Sequence, residues 1–298
     1  MRQSLDVTKT AVIGLGQMGR GIARNLDAHG LLCAAFDTDK GAFSAAGLSD
    51  RVTEICPDLI TDAADFQVFA VPSTSEIDAF FSAAPGRSGQ VVVDLTTSDP
   101  KHSRALGSKL AERGLHFIDA AMTGGAAGAD TGMLTLMLGG EADDVAACRP
   151  ILNAISDKIF HLGPVGAGHA MKLVHNLILH TSFLATCEGL QMAKRAGIDV
   201  NGAVDVLNAG NARSFVTETR FPRDILSGTM MARSRIANLE KDLGLAVDFA
   251  AGVDARVPFA KMTSAVLAEA MVSGHADTDF SWLFPFYDEL VDRLEAEE

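Results

Sequence analysis

The sequence predicts an α/β chain: a doubly wound parallel sheet in the N-terminal half, then an all-α second half, the two joined by one long helix. Three observations carry this. Short apolar runs alternate with amphipathic stretches up to about residue 160, the pattern of repeated βα units. Strand-like alternation is absent after about residue 200. Between these regions lies a run from Gly163 to Gly197 that few helix breakers interrupt.

The first unit begins with the apolar run Thr10–Ile13, followed at once by Gly14-Leu15-Gly16-Gln17-Met18-Gly19. An amphipathic helix through Ile22, Ala23, Leu26 and Ala28 ends at Gly30, and a second apolar run, Leu31–Phe36, closes on Asp37. A lone G-x-G-x-x-G means little, because glycines are common. Here a strand precedes it, a helix follows it, and an acid stands 21 residues after Gly16. In that context Gly14 permits a tight turn, Gly16 lets backbone approach a pyrophosphate, and Gly19 lets helix and strand pack closely. The helix N-terminus, with Gln17 and Met18, then faces the phosphates. Asp37 accepts hydrogen bonds from ribose hydroxyls and repels a 2′-phosphate, which favours NAD over NADP. The competing interpretation is an ordinary βα turn with surplus glycines.

Further βα units follow. Gln67–Val71 runs into Pro72-Ser73-Thr74, Gln90–Leu95 into Thr96-Thr97-Ser98-Asp99-Pro100, and Phe117–Asp119 into Ala120-Ala121-Met122-Thr123-Gly124-Gly125. Met133–Leu138 ends in Gly139-Gly140. Such alternation implies right-handed crossovers in a parallel, Rossmann-type sheet. Hydroxyl and small residues gather just after the strand ends, the edge where these sheets bind ligands. Pro72, Ser73 and Thr97 are therefore cofactor candidates, although each hydroxyl alone also suits a helix N-cap.

Gly163, Pro164, Gly166 and Gly168 make a breaker-rich entry to the long run, and Lys194 and Arg195 sit in its last turn, where cations suit the helix end. About 29 residues of α-helix span roughly 43 Å, enough to pass from one domain into another. Leu173, Leu177, Phe183, Leu184 and Leu190 leave the run apolar around much of its circumference. Within it sits Lys172, with Asn176 one turn later on the same face. A buried lysine is costly unless something uses it, the plainer outcome being a side chain that snorkels to solvent. The expected division is residues 1–164 as the NAD-binding domain and 165–298 as an all-helical domain. Helices are expected at Val200–Asn208, Arg220–Leu226, Arg235–Ala251 and Pro258–Ser273.

Composition narrows the function class. A chain of 298 residues with 48% hydrophobic residues has ample core for two domains. A net charge of −13 argues against nucleic acid as a partner, since phosphate binding needs a basic surface. Cys33, Cys56, Cys148 and Cys187 show neither CxxC nor ligand spacing, which suggests reduced thiols in a cytoplasmic protein and no metal site. No basic leader opens the chain, and no uncharged run reaches membrane-spanning length. The closing Glu-rich tail reads as a solvated helix end.

Five motifs in order resemble the β-hydroxyacid dehydrogenases, the group of 3-hydroxyisobutyrate, tartronate semialdehyde and related reductases. They are the glycine turn, DLTTSDP at 94–100, DAAMTGGAAGADTGMLTLMLGG at 119–140, GPVGAGHAMKLVHN at 163–176 and KDLGLA at 241–246, and together they cover essentially the whole chain. The resemblance implies Lys172 as the catalytic lysine and Asn176 as the substrate-orienting asparagine. It implies a cofactor-contacting Thr97, substrate-carboxylate contacts at Thr123, Gly124 and Gly125, and Lys241 as a second active-site lysine near substrate and cofactor. It also implies that residues 165–298 form a substrate and oligomerisation domain, through which the chain pairs as a homodimer or homotetramer. Three departures stand out. Thr123 replaces the usual serine and should narrow the carboxylate pocket. Ala121-Met122 replaces Pro-Val and should loosen a turn. His175 stands where asparagine is frequent and reads as packing beside the site.

The chemistry follows from charge. Moving a hydride between a hydroxyl-bearing carbon and nicotinamide requires the O–H proton to leave, or to return in reduction. A lysine does both if burial and a second cation, such as Lys241, bring it toward neutrality. Five arginines between 213 and 235 (Arg213, Arg220, Arg223, Arg233 and Arg235) offer grips for a second anionic group, with Arg213 the leading candidate, or else form surface ion pairs. Trp282, in Asp277-Thr278-Asp279-Phe280-Ser281-Trp282, either flanks the pocket or buries a helix. Against a hydroxyacid dehydrogenase stand two alternatives: an imine reductase on the same scaffold, which usually lacks the lysine, and a non-catalytic dinucleotide-binding protein.

Overall fold

The computed structural model describes residues 5–297. Residues 1–4, where the leader reading starts, and Glu298, which closes the Glu-rich tail, lie outside the described residues. The chain divides into two compact units, residues 1–172 and 173–298, so the division falls inside the long helix.

The first unit is one eight-stranded sheet in the order β3-β2-β1-β4-β5-β6-β7-β8. Its strands are β1 (Thr10–Ile13), β2 (Leu32–Phe36), β3 (Thr53–Glu54), β4 (Phe66–Phe69), β5 (Val91–Asp94), β6 (His116–Thr123), β7 (Leu134–Gly139) and β8 (Ser156–His161). β1 to β6 run parallel, with Ile13 beside Phe69, Phe69 beside Asp94, and Asp94 beside Asp119. Alternate residues feed two separate cores. Val12, Val91, Val93 and Ile118 pack with Ile22, Leu26 and Leu152 on one face. Ala11, Ile13, Val92 and Phe117 pack with Phe80, Phe81 and Leu106 on the other. Burial on both faces explains why these strands read as unbroken apolar runs.

The far edge departs from an all-parallel sheet. β6 pairs with β7 antiparallel, and β7 with β8 parallel. Only Gly124 to Met133, including the short helix Gly125–Thr131, connects β6 to β7, too little chain for a parallel crossover. Ala121 and Met122 correspondingly lie inside β6, paired with Met137 and Leu136, so their replacement of Pro-Val changes a strand and loosens no turn. β3 and β8 escape sequence reading because most of their residues are exposed and carry no apolar signal.

Among its described residues the second unit is helical apart from one isolated bridge between Arg235 and Asp279. The long helix runs Ala167–Arg195. It is followed by Val200–Ala209, a π-helix at Val216–Leu226 around Pro222, then Ile236–Gly252, Pro258–Val272, a 3₁₀ turn at Phe280–Trp282, and Leu283–Glu297. Phe183, Phe221, Leu239, Leu243, Leu267 and Phe280 form the core, with Phe183 edge-on to Phe280 at 5.1 Å. Among the described residues no helix is long and apolar enough to cross a membrane. The four cysteines are free thiols, and burial pushes Cys148 and Cys187 well above the usual thiol range.

Candidate active site

The glycine turn stands at the carboxyl end of β1, where strand order reverses between β1 and β4. A Cβ on Gly14 (φ +94°) would lie 2.5 Å from the Ala70 carbonyl oxygen, and one on Gly19 would lie 1.8 Å from that of Gly14. A Cβ on Gly16 would meet nothing within 4 Å. Two of the glycines are thus required by the protein's own packing, whereas the third faces open space where a ligand can approach. Gln17 is exposed and Met18 half-buried beside it. Asp37, just past β2, accepts a hydrogen bond from the Leu15 amide at 2.6 Å and one from the Asp39 amide at 2.8 Å. The acid and the glycine turn are therefore joined directly.

The other predicted residues of this unit share that edge. Pro72 and Ser73 follow β4, and Ser73 caps the helix Thr74–Ala83 by accepting from the Ser75 amide. Thr97 follows β5 and is half-buried. Thr123 ends β6, and Gly124 and Gly125 adopt φ of +127° and +64° immediately after it.

The start of the long helix is bonded to the same edge. Asp119, fully buried on β6, accepts from the Gly166 amide at 2.6 Å and the His169 amide at 2.8 Å. A carboxylate against the orphan amides of a helix start satisfies donors that would otherwise be buried without partners. The His169 ring, also fully buried, spans from Ser103 Oγ (2.6 Å, at Nδ1) to the Thr96 carbonyl (3.1 Å, at Nε2). Asp94 completes the network by accepting from the Thr96 amide at 2.8 Å and the Thr74 hydroxyl at 2.9 Å. Lys172 lies one turn beyond His169 and is buried. Neither Asp119, Asp94 nor His169 was singled out from sequence. The available signal was the acid closing or punctuating each apolar run, as Asp37 closes the second.

In the second unit Asn176, also buried, donates from Nδ2 to Asp242 Oδ2 at 2.8 Å. His175 Nδ1 lies 3.0 Å from Asn176 Oδ1, so the histidine bonds to the asparagine. Lys241 Nζ is 3.4 Å from Asp242 Oδ1, with its side chain half-exposed. Asp242 thus joins two predicted site residues that lie 65 positions apart and was passed over, although KDLGLA contains it, because its partner Asn176 is distant in the chain.

A family description, the NAD binding domain of 6-phosphogluconate dehydrogenase, matches residues 9–163. A second, NAD-binding of NADP-dependent 3-hydroxyisobutyrate dehydrogenase, matches residues 166–287. The chain belongs to the β-hydroxyacid dehydrogenase family. It is 29% identical to the NAD-dependent L-serine dehydrogenase of Pseudomonas aeruginosa, over 93% of this chain and 97% of that protein. It is 28% identical to the mitochondrial 3-hydroxyisobutyrate dehydrogenase of Homo sapiens, over 96% and 88% respectively. The structure of Mycobacterium tuberculosis 3-hydroxyisobutyrate dehydrogenase with L-serine superposes with a TM-score of 0.84 at 26% identity, covering 92% of this chain and 97% of that one. As a β-hydroxyacid dehydrogenase, the chain is a hydroxyacid oxidoreductase that binds a nicotinamide dinucleotide.

Most of the arginine cluster in this β-hydroxyacid dehydrogenase is engaged in ion pairs. Arg220 and Arg223 both reach the buried Asp224, and Arg220 also lies over the Phe215 and Phe280 rings. Arg235 meets Asp277 at 2.8 Å. Arg213, largely exposed, lies 3.9 Å from Glu218. These contacts weigh toward the ion-pair reading of the cluster. Trp282 stacks on Phe286, with ring centroids 5.6 Å apart.

Proposed function

We propose that this chain is a 3-hydroxyisobutyrate dehydrogenase-like enzyme that interconverts a small β-hydroxy acid and its semialdehyde or keto form. NAD is the dinucleotide, and Lys172 is the general acid/base. The observation that supports this most is the setting of Lys172: a buried lysine on a helix whose start is bonded to β6 and to the segment just past β5, the edge that also bears the glycine turn. A buried lysine on a helix whose start is anchored at a ligand-binding edge supports a functional role for that residue.

The residues fit a dinucleotide. Gly16 leaves space for a pyrophosphate, with Gly14, Gln17, Met18 and Gly19 completing the turn, while Pro72, Ser73 and Thr97 follow β4 and β5 at the same edge. Asp37 favours NAD, because its carboxylate keeps lone pairs for ribose hydroxyls beyond the two amides it accepts, and its charge opposes a 2′-phosphate. When bound, the nicotinamide accepts hydride in oxidation and donates it in reduction. Lys172 Nζ takes the hydroxyl proton in oxidation and returns it in reduction. Asn176 hydrogen-bonds the reacting oxygen, and Thr123, Gly124 and Gly125 hold the substrate carboxylate. Lys241 adds a second cation for substrate and dinucleotide. Arg213 remains the candidate for a second anionic group on the substrate. The methyl of Thr123 favours a small acid.

The test is a panel of three- and four-carbon hydroxy acids offered with NAD⁺ and with NADP⁺, read by the absorbance of the reduced nicotinamide. At least one β-hydroxy acid should be oxidised, with higher kcat/KM for NAD⁺. Dinucleotide binding with no turnover, or turnover of amines and imines alone, overturns the assignment. A preference for NADP⁺ removes the role given to Asp37.

The chain also forms a homodimer or homotetramer on this reading. Phe259 and Met262, one turn apart on Pro258–Val272, are 78% and 68% exposed, a costly apolar face for an isolated chain. Sedimentation velocity should show a species of at least twice the 31.3 kDa chain mass. A single species at the chain mass across micromolar concentrations rules the assembly out.

A further inference from the structure

The orientation of the Asn176 amide is determined by its neighbours. A carboxylate only accepts, so the amide group facing Asp242 Oδ2 at 2.8 Å must be the nitrogen. The amide oxygen then faces His175, and because that oxygen cannot donate, His175 Nδ1 must carry the hydrogen in their 3.0 Å contact. An amide nitrogen has two hydrogens. With one directed to Asp242, the second is what Asn176 has to offer a ligand. Asp242 also lies 3.4 Å from Lys241 Nζ, so one carboxylate ties the amide to the second lysine of the proposed site. An anionic acceptor polarises the amide and strengthens its orientation beyond what a neutral partner gives.

From this arrangement we infer that Asp242 and His175 are positioning residues that hold Asn176 with an N–H, and not its oxygen, directed to the reacting oxygen of the substrate. Asn176 is thereby a donor to the oxygen on which negative charge develops, rather than an acceptor that steadies the lysine ammonium. Asp242 makes Asn176 and Lys241 one unit, so a change at either end displaces the other. This rests on the reading of Asn176 and Lys241 given above. It explains why histidine at position 175 serves where asparagine is frequent: His Nδ1 and Asn Nδ2 are both donors at the same distance from the backbone.

The experiment combines kinetics with an observation that needs no turnover. In the whole enzyme, Asp242→Asn should lower kcat about tenfold, the order expected for loss of a charged hydrogen-bond partner. His175→Ala should lower kcat about fivefold, and His175→Asn should restore most of that loss because the donor returns. In an Asn176→Ala background, Asp242→Asn and His175→Ala should cost little more, since they act through the missing amide. Full additivity there, or equal losses for His175→Ala and His175→Asn, overturns the inference. Independently, the two side-chain amide protons of Asn176 in ¹⁵N-labelled protein, identified by their loss in Asn176→Ala, should be well separated and should converge in Asp242→Asn. If they are unperturbed in Asp242→Asn, the inference fails whatever the enzyme turns over. If they converge while no hydroxy acid is oxidised, the orientation stands and the proposed activity falls.

Discussion

Lys172→Ala is expected to lower turnover by about a thousandfold, within the range that a positioned acid/base supplies, and to leave dinucleotide affinity within a few fold. The separation follows from where the parts lie. The glycine turn, Asp37, Ser73 and Thr97 follow the carboxyl ends of β1, β2, β4 and β5, whereas Lys172 belongs to the helix Ala167–Arg195. Its replacement changes no residue of the turn itself. Lys172→Arg separates charge from proton transfer: it keeps a cation, but a guanidinium cannot release its proton in this range. Both variants should therefore be inactive while binding the dinucleotide, as measured by fluorescence titration. Wild-type-like turnover in Lys172→Ala would end the assignment of the proton to this residue. Wild-type-like turnover in Lys172→Arg alone would make its role electrostatic.

What could be read from the sequence was local in the chain. The glycine turn declared itself because strand, turn, helix and acid lie within 28 consecutive residues, Thr10 to Asp37, and Gly19 is confined by its near neighbour Gly14. The long helix was legible from its breakers, and its bounds at Ala167 and Arg195 coincide with the end of the glycine entry and the terminal cations. What stayed hidden depends on distant pairs. Asp119 meets His169 across 50 positions, Ser103 meets His169 across 66, and Asn176 meets Asp242 across 66. A buried polar residue looks the same in sequence as an exposed one, because only its partner shows that it is satisfied. The antiparallel return of β7 was hidden for a related reason. Strand direction is set by how much chain is available for the connection, and the boundaries that fix this length are the least certain feature of a sequence pattern.

The glycine turn gives the second large effect, as a contrast between two neighbouring positions. A Cβ at Gly19 would stand 1.8 Å from the Gly14 oxygen and 2.8 Å from its carbonyl carbon. Those are backbone atoms, and Gly14 is itself confined because its own Cβ position lies against the Ala70 carbonyl. Neither partner can move aside by rotating a side chain, so Gly19→Ala must displace β1 from the helix Gly19–Ala28. The cost is at the upper end of overpacking, about 3 kcal/mol, and should lower Tm by roughly 6–12 °C together with dinucleotide affinity. Gly16 is the opposite case. A methyl there meets no protein atom within 4 Å, so Gly16→Ala should leave Tm within about 2 °C. The same methyl enters the space assigned to the pyrophosphate, and dinucleotide affinity should fall by at least about tenfold. Destabilisation without specificity predicts that affinity tracks Tm across both variants, whereas a ligand seat predicts that Gly16→Ala loses affinity at constant Tm. Wild-type affinity in a fully stable Gly16→Ala protein would mean that the phosphates lie elsewhere, and the open face of this turn would have to be explained without a ligand.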